Sequence, residues 1–414
     1  QGDNISGTYI QDAQVELGLI ATPYIETGAV SAQAGLLENT PRLDYSGGGT
    51  CPNLLLEPSR TNIITQSEYF GGSDWTKTAT TIVDNETTSP DGYVNASKLV
   101  EDTSTGSHRI QKIITASAAT IYTTSVFVKY AGREWIRFTD AQSSNRIHFN
   151  TLTGVFGTST GTVIDYNSTA LADGWHKLSL TTTSVGTAYT PRIALAEADN
   201  DVVYTGDGTS GVYIYGFQLE QGSYATSYIP TYGTSQTRAG ESIADLDTSS
   251  LLTQSNNNTY FAEVVNHRNT GNTRFIASYD SARSNEDRIL IYSGNASTSY
   301  TLHCQYKVSG ETSIQFNIAT NVNYGDTIKF AVVFNGTEMI GFANGVKTAT
   351  ATIVDADNFN KFDITDTANE LGVFKQLLLF PTALSDLDAK ILTGATTYET
   401  FDEMALALNY TVYE

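Results

Sequence analysis

Apolar and polar residues alternate, or stay apolar for the length of one strand, in short runs along most of the chain. Residues 121–129, 134–138, 175–180 and 212–219 show this in the first part, and 260–265, 288–292, 300–306 and 328–334 in the second. A two-residue period sends successive side chains to opposite faces of a strand, and Gly, Asn and Asp turns separate the runs. Strands this short and regularly spaced predict β-sandwiches. Helical spacing is confined to the end. Ser385-Asp-Leu-Asp388 has the cap-plus-acid pattern of a helix start, which Ala389 to Leu392 would continue for a few turns at most. A second short helix is expected in residues 398–408, where Phe401, Met404, Ala405 and Leu408 fall on one face, and both look like packing elements.

Composition agrees with this pattern. The 414 residues include 24 Tyr, 17 Phe and 34 Gly, and Thr and Ser are frequent; aromatic and β-branched residues favour strands, and Gly favours turns. With 40% hydrophobic residues the chain can bury real cores, and its length suggests two or three domains. Acids outnumber bases 44 to 23, a net charge of −21, although only 16% of residues are charged. Such a chain is repelled by phosphate backbones and anionic lipid, so neither nucleic-acid binding nor membrane-surface binding is expected. No window approaches 18 continuous apolar residues, so no membrane insertion is expected. Cys51 and Cys304 are too few for a disulfide framework and lack metal-ligand spacing. The opening Gln1-Gly2-Asp3-Asn4 has no basic or apolar leader, so no secretion signal is visible.

An internal repeat changes the domain count. Residues 7–31 align without gaps to residues 211–235, an offset of 211 − 7 = 204, with identities at Tyr9/Tyr213, Ile10/Ile214, Gln14/Gln218, Glu16/Glu220, Gly18/Gly222, Ala21/Ala225, Thr22/Thr226, Tyr24/Tyr228 and Ile25/Ile229. The second copy closes a long series of strands. The first is therefore expected to be the last strand of a domain lying upstream, and it needs a neighbouring sheet or subunit to pair its backbone. The expected organisation is all-β: tandem antiparallel sandwiches, with residues 1–50 a terminal strand plus linker, 51–238 a jelly-roll, 239–395 a second sandwich and 396–414 a helical tail.

Candidate chemistry centres on binding. A sandwich glycosidase needs two carboxylates at fixed separation, yet Glu263 stands alone on its strand and Glu286 and Asp287 are adjacent, so they point to opposite faces. No Gly-x-Ser-x-Gly elbow or phosphate-binding loop occurs. The histidines 108, 148, 176, 267 and 303 lack metal spacing, and no catalytic residue is assigned. Oxygen ligands in an acidic loop suit Ca²⁺, and Glu197, Asp199, Asp201 and Asp207 are the candidates, a solvated acidic hairpin being the alternative. Sugar binding uses aromatic faces flanked by hydrogen-bonding side chains. In Arg133-Glu-Trp-Ile-Arg137, Trp135 shares a strand face with Arg133 and Arg137, an arrangement that also suits a core tryptophan. Tyr215, Tyr130 and Arg146 are plausible neighbours, and Trp175 reads as a core strand start.

The motifs at 52–62 (PNLLLEPSRTN), 75–77 (WTK), 126–129 (VFVK), 173–177 (DGWHK), 206–211 (GDGTSG), 218–220 (QLE) and 225–231 (ATSYIPT) resemble a carbohydrate-binding-module-like jelly-roll common in tailed-phage virion proteins. The stretches Asn335-Gly336, 342–346 (FANGV) and 379–386 (LFPTALSD) resemble a concanavalin A or laminin G-like lectin sandwich. The resemblance implies a virion fibre or adhesin, extracellular or on the particle, that contacts a host cell-surface glycan and other virion proteins. It implies a homo-oligomer, trimers being frequent among such fibres. A tail depolymerase and a secreted bacterial polysaccharide-binding protein are the alternatives.

Overall fold

The computed structural model describes residues 43–44, 53–140, 144–240, 243–250, 257–266, 274–282, 287–295, 299–354, 359–364, 373–394 and 401–408. The first repeat copy, Cys51, His267 and Glu286 lie outside them. Every run singled out by its alternation is a strand, and contacts divide the chain into two compact units.

The first unit, residues 61–237, holds two six-stranded antiparallel sheets. One runs in the order Val163–Ala170, Trp175–Thr183, Ile121–Ala131, Gly211–Gln221, Val94–Glu101 and Thr80–Thr88. The other runs Val155–Thr160, Arg146–Asn150, Trp135–Asp140, Pro191–Ala196, Arg109–Gln111 and Thr76–Thr78. Neighbours such as Ile121–Ala131 and Gly211–Gln221 are distant in sequence, the crossed connectivity of a jelly-roll. Alternation fills the space between sheets: Val126, Val128, Leu178, Leu180 and Ile214 from the first meet Ile136, Phe138, Ile147, Phe149, Ile193 and Leu195 from the second. Trp75 and Phe217 anchor one end with ring centroids 5.0 Å apart, and the indole N–H donates to the Gln66 carbonyl at 2.8 Å. Burying a side chain of this size is worth about 1.5–3 kcal/mol.

The outer face of the first sheet is covered as well. Phe127, Trp175 and Tyr215 project from it and pack with Ala96 and Tyr228 into a second, small core. The chain after Gly211–Gln221 folds back to close this layer. Gln218 Oε1 accepts the Ile229 N–H at 2.7 Å, and Glu220 Oε1 accepts the Thr226 N–H at 2.8 Å. Gly216 permits the close approach: its φ is +58°, and a Cβ there would lie 3.0 Å from the Phe127 ring.

The second unit pairs a seven-stranded sheet with a six-stranded one. Tyr260, Ala262, Phe330, Val332 and Phe334 from the former meet Phe275, Ile289, Ile291, Leu302 and Cys304 from the latter. On the other side of the larger sheet, Phe261, Ala331, Val333 and Phe342 are capped by Leu384, Leu392, Met404 and Leu408. The helices Asp386–Leu392 and Phe401–Ala407 therefore belong to this unit's packing, as expected of packing elements. Ser385 caps the first of them, its side chain accepting the Asp388 N–H at 3.1 Å, as the cap-plus-acid spacing predicts. Residues 53–60, placed by sequence at the start of the jelly-roll, side with the second unit: Leu55 pairs with Val373, and Leu56 lies in that core.

Candidate functional site

The strand Trp135–Asp140 runs through the second sheet of the first unit, paired on one side with Arg146–Asn150 and on the other with Pro191–Ala196. Its Ile136 and Phe138 point into the core, so Trp135, Arg137 and Thr139 point outward. Register places the outward residues in rows. Across one row lie His148, Arg137, Ala194 and Arg109; across the next lie Arg146, Thr139, Arg192 and Gln111. Four arginines thus occupy alternate positions of two adjacent rows, with the small Ala194 and Thr139 between them. Diagonal neighbours on one sheet face lie about 7–8 Å apart, within reach of long side chains.

The electrostatics of this face are one-sided. Arg192 Nε donates to Gln111 Oε1 at 2.7 Å, but the guanidinium groups of Arg109, Arg137 and Arg146 have no hydrogen bond or ion pair among the described residues. Their three Nε atoms are buried without an acceptor. Burial, and then the charges of Arg146, Arg192 and Arg109, hold the Arg137 pKa below its ordinary value. Burial and Arg109 do the same to Arg192. All four remain cationic, because a guanidinium does not deprotonate in proteins. His148 is fully buried beside them; its Nδ1 lies 2.9 Å from the Thr158 carbonyl, and its Nε2 has no partner. Burial depresses its pKa, and the carbonyl bond and Asp199, 3.8 Å away, oppose that only in part.

In the row beyond, Trp135 stands between Asn150 and Ala196, half-buried and packed on Ala194, Ala196 and Val202. Gly157 makes room for it: a Cβ there would lie 2.7 Å from the indole and overlap the Asp199 carboxylate. The ring is therefore supported from below and keeps part of its surface open to solvent.

The other residues expected at a site go elsewhere. Arg133 does not share the face with Trp135 and Arg137. It donates to the buried Glu101 through Nε at 3.0 Å and again through Nη2, and it lies 4.7 Å from the Tyr204 ring, a half-buried structural clamp. Tyr215, 4% exposed, belongs to the covered layer of the other sheet; its hydroxyl donates to Asp91 Oδ2 at 2.6 Å and lies 3.3 Å from Glu68 Oε1. Trp175 is buried there too and donates to the Thr88 carbonyl, whereas Tyr130 is exposed at a strand end.

The acidic candidates for calcium are not gathered. Asp199 accepts from the Thr158 N–H and hydroxyl, and Asp207 caps the Thr209 and Ser210 N–H groups. Glu197 and Asp201 share only a backbone turn. Among the described residues no group of three or more His, Cys, Asp or Glu side chains is placed to hold a metal.

Sequence reasoning found Arg137, Arg146 and Trp135 but missed Arg109 and Arg192. Their signal was present, since in Arg192-Ile-Ala-Leu-Ala and Arg109-Ile-Gln a base opposes a core isoleucine. Nothing local said that these two strands flank Arg137.

In the second unit, the outer face of the six-stranded sheet carries Tyr292 over His303, ring centroids 5.1 Å apart. The Tyr292 hydroxyl donates to Gln315 at 2.8 Å, and His303 Nδ1 lies 2.9 Å from Asn317 Oδ1. Asn344 ties its turn to the adjacent strand Thr327–Asn335, accepting the Lys329 N–H at 3.2 Å. No helix among the described residues is long and apolar enough to cross a membrane.

No protein-family model matches the chain, and no curated protein matches its sequence. Several solved structures are similar to parts of the chain. A heptameric SAP-like pentraxin from Limulus polyphemus is 14% identical over 38% of this chain and 78% of its own, with a TM-score of 0.32. The CBM40 of a Ruminococcus gnavus IT-sialidase is 16% identical over 37% of this chain and 97% of its own, with a TM-score of 0.29. Domains LG4-5 of the mouse laminin α1 chain are 11% identical over 67% of this chain and 86% of theirs, with a TM-score of 0.26. The chain is similar to these β-sandwich proteins at low identity, and its function rests on its own residues.

Proposed function

We propose that the chain is a non-enzymatic glycan-binding protein of a phage virion, a fibre or adhesin component whose sandwiches contact host-surface sugars. The observation that carries the reading is the outer face of the second sheet, where a supported, part-exposed Trp135 adjoins a field of unpaired hydrogen-bond donors. An aromatic ring offers sugars a flat apolar surface, and neighbouring donors select hydroxyl or charged substituents. Rigid sandwiches hold such groups at fixed spacing. The virion assignment rests on the jelly-roll motifs of the sequence.

The test is a glycan array probed with the full chain, with and without chelator. Binding to a defined set of sugars is expected, and Trp135→Ala should weaken it about tenfold, the loss of one stacking contact. A chain that binds no glycan is a structural spacer. Release of reducing sugars from the bound polysaccharide would replace binding with depolymerisation. Adsorption of phage to host cells in the presence of excess chain tests the virion assignment, competition being the expected result.

A further inference from the structure

We propose that the ligand of this face is an anionic glycan whose carboxylate or sulfate groups are held by Arg137, Arg146, Arg109 and Arg192; the inference rests on reading the face as a glycan site. Four guanidinium groups converge on one sheet face of a protein whose net charge is −21. Clustered cations in a folded protein are ordinarily interleaved with carboxylates, as Arg133 is with Glu101 in the same unit. Here the interleaved positions are Ala194 and Thr139, which bring no charge.

The arginines therefore repel one another; Asp199, the carboxylate bordering this face, lies beside His148 and Trp135 and forms no ion pair with them among the described residues, so an anionic ligand is what would offset the repulsion. A guanidinium presents N–H donors in a planar fork that fits a carboxylate or sulfate two bonds at a time. Three buried Nε–H groups have no acceptor among the described residues, so the guanidinium groups keep unused donor capacity. Two rows of two arginines suit more than one oxyanion, as along an acidic polysaccharide, and Trp135 in the next row supplies the surface for a ring. A neutral sugar would satisfy the donors but not the charge. A polynucleotide would also offer charge, and comparison with an oligonucleotide tests for it.

The experiment titrates the full chain with oligogalacturonate, with its fully methyl-esterified form, which keeps the backbone and loses the charge, and with a sulfated heparin oligosaccharide. A charged form should bind at least about tenfold more tightly than the ester, with an affinity that falls as salt is added. Whether the carboxylated or the sulfated arm binds distinguishes the source of the oxyanion. Arg137→Gln and Arg146→Gln should each reduce that binding about tenfold while thermal stability stays level or rises, because each removes a repelling charge. Equal binding of ester and acid, unchanged binding by Arg137→Gln, a large drop in stability in both variants, or preference for a single-stranded oligonucleotide would each overturn the anionic assignment. Equal binding of ester and acid would still leave a glycan site, whereas a chain that binds no sugar on the array loses both readings.

Discussion

Glu68 is 2% exposed and is approached by the hydroxyls of Tyr228 at 3.0 Å and Tyr232 at 3.1 Å. Burial is the strongest influence on its carboxyl and raises the pKa above 4.5; Asp91 adds to this, and the tyrosine bonds offset it only in part. The folded protein thus keeps a proton on Glu68 that the unfolded chain releases near pH 4.5. Stability from this group is fully present below that value and is lost as pH rises through the raised pKa. Asp91 behaves oppositely. Burial would raise it, but bonds from Ser89, Tyr215, Asn95 and the Tyr93 backbone hold it below 3.8, so its contribution is lost only as pH falls through that depressed value. Replacing Glu68 by Gln should flatten the decline of melting temperature as pH rises above 4.5. A variant that declines as steeply as the parent would show that another group carries the dependence.

At the scale of elements, period-two alternation was enough to find the strands, because burial of one face is a local property of the sequence. Where both faces are covered, alternation disappears. The strands Asn257–Val265 and Thr327–Asn335 are buried on both sides, which sequence alone reads only as apolar runs. What covers the second side is the pair of C-terminal helices, and their spacing was legible while their docking was not. Met404 fills the contact between helix and sheet, so Met404→Ala should cost about 2–3 kcal/mol in denaturant unfolding. A cost below about 0.5 kcal/mol would mean that the helix is a surface appendage. The repeat also acquires a meaning at this scale. Gln218, Glu220, Thr226 and Ile229, all identical in the first copy, are the residues that bond Gly211–Gln221 to its returning chain. The shared positions preserve a closure motif. The first copy lies outside the described residues.

As a whole molecule the protein carries separate cores in its two units, one around Phe217 and Trp75, the other around Phe330 and Tyr260. Calorimetry should therefore resolve two unfolding transitions. Phe217→Ala removes a fully buried ring and should lower one transition by about 3–5 kcal/mol while leaving the other in place. A parallel shift of both would show that the units unfold as one. Charge is also clearer at this scale. The excess of acids gave no partner-specific signal, because an average over 414 residues hides four bases grouped on one sheet face.

The sequence by itself determined an all-β chain of tandem sandwiches with short terminal helices, since those follow from alternation, turn residues and caps, which act over a few positions. It also drew attention to Trp135 and Arg137. Tertiary structure alone decided which charges meet. Arg133 and Arg137 flank Trp135 symmetrically in sequence, yet one closes on Glu101 and the other joins Arg109, Arg146 and Arg192. The difference comes from strand order and register, through which residues tens of positions apart become neighbours, and one register step would turn every such side chain to the opposite face.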